Sequence, residues 1–105
     1  MWKVEFLPKA IEEEAELPAD MQARLGRMIA AIRENGLLDL PPGWAKPLGD
    51  KLWELRITGK NGIARAIYVT AIGQRVVVIH AFIKKSQKTP SSALELARKR
   101  AREVT

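Results

Sequence analysis

The stretch HAFIKKSQKTP, residues 80–90, sets the only histidine of the chain, His80, ahead of Lys84, Lys85 and Lys88. Two arginines, Arg56 and Arg65, lie inside the strand-like runs LWELRI and GIARAIYVT further upstream. Guanidinium and ammonium groups fixed on neighbouring strands hold an anion, and they stabilise negative charge as it develops on a phosphoryl centre. One strong preorganised donor of this kind contributes about 2.7–4 kcal/mol to a transition state. A histidine, or a lysine of lowered pKa, can move a proton beside such a cluster and add roughly 10²–10⁴-fold in rate. Each residue also has a plainer reading. Arg65 or Arg56 can form an ion pair with Glu54, His80 can be a hydrogen-bonded interior imidazole, and the lysines can be a solvated run.

Absent motifs narrow the chemistry. One histidine and no cysteine leave no metal-ligand spacing, and the chain has neither a Gly-rich phosphate loop nor a Ser-His-Asp set. These absences argue against a zinc hydrolase or a triad nucleophile, and no metal or cofactor is expected. RNA brings its own nucleophile, the ribose 2′-hydroxyl. Cleaving it needs a base, cations around the phosphorane-like transition state and an acid for the leaving oxygen. Charge distribution agrees with a polyanionic partner. Residues 1–74 carry ten basic and ten acidic side chains, so the net charge of +6 lies entirely in residues 75–105.

At 105 residues with 47% hydrophobic content, the chain is expected to be one domain, 1–105, with a two-layer core. No run approaches the length of a membrane span, and MWKVEFLPK is too short and charged for a signal peptide. A cytoplasmic location without membrane association is therefore expected. KVEF alternates as a short first strand. Pro8 opens a short helix in which Glu12, Glu13 and Glu14 lie near the positive end. Met21, Leu25, Met28, Ile29 and Ile32 form the apolar stripe of a second helix, ended by Asn35-Gly36. LLDLPPGWAKPLGD, rich in Pro and Gly, reads as a connection. Three strands follow, Leu52–Ile57, Gly62–Thr70 and Arg75–Ile83, with hairpin turns at TGKNG and IGQ and an Asn-Gly type I′ signal. Thr89 and Pro90 then start a helix with the stripe Leu94, Ala97, Ala101 and Val104.

The predicted architecture is α+β: a mainly antiparallel sheet of a short N-terminal strand plus a three-strand meander, an N-terminal helical hairpin on one face, and a C-terminal helix. Strand parity puts Trp53, Leu55 and Ile57 in the core layer and turns Arg56 to the wetter face. The same parity aligns His80 with Val76, Val78 and Phe82. Tyr68 is expected in the core.

KPLGDKLWELRI, GIARAIYVT and VVVIHAFIKKSQKTP resemble the phage-derived HigB-like branch of the RelE/ParE toxin superfamily. The likeness runs almost from the first strand to the last helix. It implies a RelE-like fold and the toxin of a type II toxin–antitoxin pair. A helix-turn-helix antitoxin would be its inhibitor, with a hetero-oligomer as the inactive form. It also implies ribosome-dependent cleavage of mRNA by 2′-hydroxyl attack without metal. Carried over by position, Arg56 and Arg65 match basic strand residues that bind and stabilise the scissile phosphate. Lys84 and Lys85 match the basic pair after the last strand, and His80 the histidine typical of the branch. The implied catalytic set is Arg56, Arg65, His80 and Lys85, with Lys84, Lys88 and Lys46 as RNA-binding residues. RelE has a tyrosine in its final segment as candidate base. Here that region reads TPSS, which leaves His80 or a lysine of depressed pKa to move the proton. Two alternatives share the scaffold: a ParE-like gyrase-inhibiting toxin and a non-catalytic partner-binding module. On the nuclease reading, Arg65→Ala relieves growth arrest and leaves the fold intact.

Overall fold

The computed structural model describes residues 2–84 and 90–104. Its elements run β1 (Lys3–Phe6), α1 (Pro8–Ala15), α2 (Ala19–Asn35), β2 (Ala45–Gly49), β3 (Leu52–Gly59), β4 (Gly62–Ala71), β5 (Arg75–Lys84) and α3 (Ser91–Ala101). They form one sheet in the order β1-β5-β4-β3-β2, with β1 parallel to β5 and the other pairs antiparallel. The expected meander is β3-β4-β5. No described helix is long and apolar enough to cross a membrane.

The helical hairpin covers one sheet face. Met21, Leu25, Met28, Ile29 and Ile32 of α2 are all buried, and they pack with Leu55, Ile57, Ala64, Ala66, Tyr68, Val76 and Val78. Gly36 ends α2 at φ 77°, its N–H donating to the Ile32 carbonyl at 2.8 Å. A positive φ is costly for a residue with a Cβ, so the Asn-Gly stop is used as the sequence suggests. Burial pushes the Tyr68 phenol up to about 12, as befits a core tyrosine. On the opposite face α3 lays Ala97 over Leu52, Ile67, Val69, Val77 and Ile79, with Ala101 and Val104 at the margin.

Four local readings change. Residues 45–49, expected within a connection, form edge strand β2, paired to β3 from Ala45 opposite Leu55 to Gly49 opposite Leu52. Pro47 is tolerated because an edge strand has one side free of ladder bonds. The β2–β3 turn is made by Asp50 and Lys51, both at positive φ as a type I′ turn requires. In TGKNG, by contrast, Gly59 pairs with Gly62, so the loop is Lys60–Asn61 and neither residue has positive φ. Trp53 is 39% exposed: it shares the face of Leu55 and Ile57 but lies beyond their packed layer. Finally, parity fails in β5. Ile67 faces His80 while Tyr68 faces Val78, so Ile79 is an extra residue at a bulge. Val76 and Val78 therefore pack under the hairpin, whereas Phe82 joins the α3-side cluster.

Candidate functional site

Beyond the part covered by α3, the second sheet face carries the predicted cations. Cross-strand partners point to the same face, and the register sets Lys46 opposite Glu54, Arg56 opposite Arg65, and Arg65 opposite Phe82. Lys84, two residues after Phe82, follows on that face. Lys46 and Arg56 are exposed and Lys84 is half-buried. The Lys84 ammonium is held below its ordinary range, first by desolvation and then by the positive charges of Arg65, Arg56 and Lys46, which together outweigh Glu54. That shift is an electrostatic signature of convergence: four cations from four strands act on one another around a single carboxylate.

Arg65 occupies the floor of this cluster. Only 2% exposed, it donates from Nε to Glu54 Oε1 at 3.1 Å and from Nη1 to the Ala64 carbonyl at 3.3 Å. Glu54 is itself 1% exposed. This is the cross-strand ion pair that the sequence offered as the structural reading of Arg65. Burial lowers the Arg65 pKa most, Glu54 raises it, and Arg56 lowers it; with an ordinary value so high, the guanidinium stays charged. Arg56 lies directly across from it, a like-charge juxtaposition that the Glu54 carboxylate bonded to Arg65 offsets. Its side chain is exposed and its backbone N–H donates to the Trp44 carbonyl at 2.8 Å.

His80 is engaged elsewhere. Strand β1 pairs with β5 only as far as Val78, and beyond that point α1 and α3 close the strand edge. Glu13 Oε1 accepts from Ala81 N–H at 3.2 Å, from Arg100 Nη1 at 2.8 Å and from His80 Nδ1 at 2.9 Å. Arg100 Nη1 also donates to the Ile79 carbonyl at 2.9 Å. A carboxylate only accepts, so Nδ1 must carry the proton. The Arg100 nitrogen 3.5 Å away is then a neighbour of Nδ1 and not its partner. Burial raises the Glu13 pKa, but the bonds from Arg100, His80 and Ala81 outweigh it, and the carboxyl ends below its ordinary value. Glu13 and Arg100 are the residues that sequence reasoning missed. A signal existed for the first: Ala10 and Glu13, three residues apart, share the face of α1 turned to the sheet.

Of the predicted site residues, the fold brings Lys46, Arg56, Arg65 and Lys84 together, and it sets His80 in a separate network at the strand edge. Lys85, Lys88 and the expected Thr89 cap lie outside the described residues. Among the described residues no group of three or more acids or histidines is placed to hold a metal ion.

The family model Phage derived protein Gp49-like (DUF891) matches residues 12–102. The chain belongs to this family. No curated protein matches this Gp49-like chain at a significant level. Solved structures do match in fold. The isolated E. coli RelE toxin is 14% identical with a TM-score of 0.59, the match covering 90% of this chain and 97% of that one. A chain of the intact E. coli RelBE toxin–antitoxin complex is 16% identical with a TM-score of 0.56, covering 82% and 100%. A chain of the RelB–RelE antitoxin–toxin complex from Methanococcus jannaschii is 14% identical with a TM-score of 0.61, covering 77% and 91%. The fold of this Gp49-like chain is thus RelE-like, and its family is a phage-derived one, as its segments suggested.

Proposed function

We propose that this chain is the toxin of a toxin–antitoxin pair and acts as a metal-independent endoribonuclease on ribosome-bound mRNA. The observation that carries the proposal is the convergence of Lys46, Arg56, Arg65 and Lys84 on one open sheet face of a RelE-like fold. Exposed Arg56 and Lys46 grip phosphate oxygens. Arg65, buried and charge-balanced by Glu54, forms the floor beneath them as the 2′-oxygen attacks phosphorus and the phosphorane gains charge. Because RNA supplies the nucleophile, the protein needs only to position, neutralise and move protons.

Lys84 is the better of the two proton-transfer options. Its lowered pKa brings an ammonium closer to working pH, where it can give its proton to the 5′-oxygen as the P–O5′ bond breaks, while solvent water takes the 2′-hydroxyl proton as the 2′-O–P bond forms. His80 has its Nδ1 proton committed to Glu13, so only Nε2 is left to exchange a proton, and its side chain lies in a network apart from the clustered cations. Lys85 and Lys88, outside the described residues, stay candidates for RNA contact in this reading by their chemistry alone. The inhibitor would be an antitoxin protein, as in the toxin–antitoxin complexes that share the fold.

Mapping 5′ ends of cellular transcripts after brief induction tests the proposal. Codon-phased cuts that vanish in Arg56→Ala and in Lys84→Arg support it, the second variant keeping charge but losing the lowered pKa. Growth arrest with intact transcripts refutes it; induction of the DNA-damage response in that case would point to a ParE-like action on gyrase.

A further inference from the structure

Phe82 stands inside the cation cluster with its ring stacked on that of His80, centroids 4.8 Å apart and planes at 29°. The ladder sets it directly opposite Arg65 and two residues before Lys84 on the same face. Its ring is half-buried, resting on the margin of the α3-side core. His80 beneath it cannot swing freely, since Nδ1 is tied to Glu13 and Glu13 to Arg100 and the Ala81 N–H. The pair is therefore a flat aromatic surface, held from behind and flanked by cations.

Cations alone would hold a phosphate; an ordered ring among them adds a surface for what the phosphate carries. We infer that Phe82, backed by His80, is the platform on which one base of a single-stranded RNA stacks while Lys46, Arg56 and Lys84 hold the adjoining backbone. The inference rests on the reading of this face as an RNA site and adds to it a residue that touches the base. Phe82 makes the contact. His80 and Glu13 act through it as positioning residues. Every base has a π-face, so the platform supplies affinity with little sequence preference.

The test measures binding of the full chain, at low salt, to an oligoribonucleotide of about six nucleotides and to the same backbone with abasic riboses. Phe82→Leu is expected to weaken binding of the base-bearing RNA roughly five- to a hundredfold and to leave binding of the abasic backbone unchanged. Phe82→Trp keeps the affinity, and its added fluorescence is quenched as a base stacks. His80→Ala lowers the base-dependent part alone. An equal loss for both ligands, no loss in Phe82→Leu, or no preference of the parent protein for the base-bearing RNA would overturn the inference. Base-dependent binding through Phe82 with uncut transcripts would refute the nuclease reading alone. Cut transcripts with binding indifferent to Phe82 would refute the platform alone.

Discussion

Arg65→Ala separates two jobs that one guanidinium can hold. Its Nε lies 3.1 Å from Glu54 Oε1, and the two residues are only 2% and 1% exposed. Truncating the arginine leaves a buried carboxylate without its counter-charge, a change that costs about 3–5 kcal/mol. Two effects soften the loss. Repulsion from Arg56 across the ladder disappears, worth at most about 1 kcal/mol, and Lys84 remains close enough to attract Glu54. The expected net loss is about 2–4 kcal/mol, against a total stability of about 5–15 kcal/mol for a small domain. The variant should fold at 25 °C and melt roughly 10–20 °C lower. So the intact fold expected for this variant from sequence gives way to a destabilised one. Urea unfolding followed by tryptophan fluorescence measures the cost, and the double variant Glu54→Leu/Arg65→Met should recover most of it, since an apolar pair of similar size removes the desolvation penalty. A loss below about 0.5 kcal/mol in Arg65→Ala, the range of ordinary surface changes, would refute the buried-pair account. Transcript cleavage by the folded double variant then assigns the second job: retained activity makes Arg65 a structural cation, and lost activity makes it a contributor to phosphate charge.

Arg56→Ala should show the converse, with stability within about 0.5 kcal/mol of the parent by urea unfolding and cleavage down roughly 10²–10³-fold in a primer-extension assay. Glu13, whose folded pKa lies below its ordinary value near 4.5, contributes stability that is present above that value and lost as pH falls through the folded pKa; acid-unfolding curves of Glu13→Gln should lack this component. Gly59→Ala should destabilise by about 1–3 kcal/mol in thermal unfolding, because its Cβ would meet Asp20 Oδ2 at 2.8 Å and Met21 Cγ at 2.8 Å. Lys46→Ala should weaken RNA binding and reduce its salt slope by about 1, as expected for one lost phosphate contact.

The sequence legibly carried whatever local periodicity and turn chemistry encode. The α2 stripe, the Gly36 stop, the meander, the buried Tyr68 and the exposed Arg56 could all be read off spacing, because apolar side chains at 3.6 or 2 residue periods must share a face whatever packs on it. Parity turned Arg56 to the wetter face, and Glu54 was named as a partner for Arg65, but parity left open whether carboxylate or water would face that guanidinium. It failed at His80 since a single extra residue, Ile79, reverses the facing of everything beyond it. Strand β2 was hidden because an edge strand tolerates Pro47 and needs no apolar alternation.

Charge shows the division most clearly. By position along the chain, the excess basic residues fall in the last third, and this C-terminal arm was read as suited to a polyanionic partner. In three dimensions Arg75 pairs with Glu5, Arg98 with Asp50 and Arg100 with Glu13, so acids from the first half neutralise much of that arm. The cations gathered at the candidate site instead come from four different strands. Sequence alone determined which residues could be charged, which faces had to be apolar and that the elements would form an α+β sheet. Only tertiary structure decided which charges meet. An ion pair such as Glu13 with Arg100 joins positions 87 residues apart, and attraction between charges depends on distance in space, about which spacing along a chain is silent.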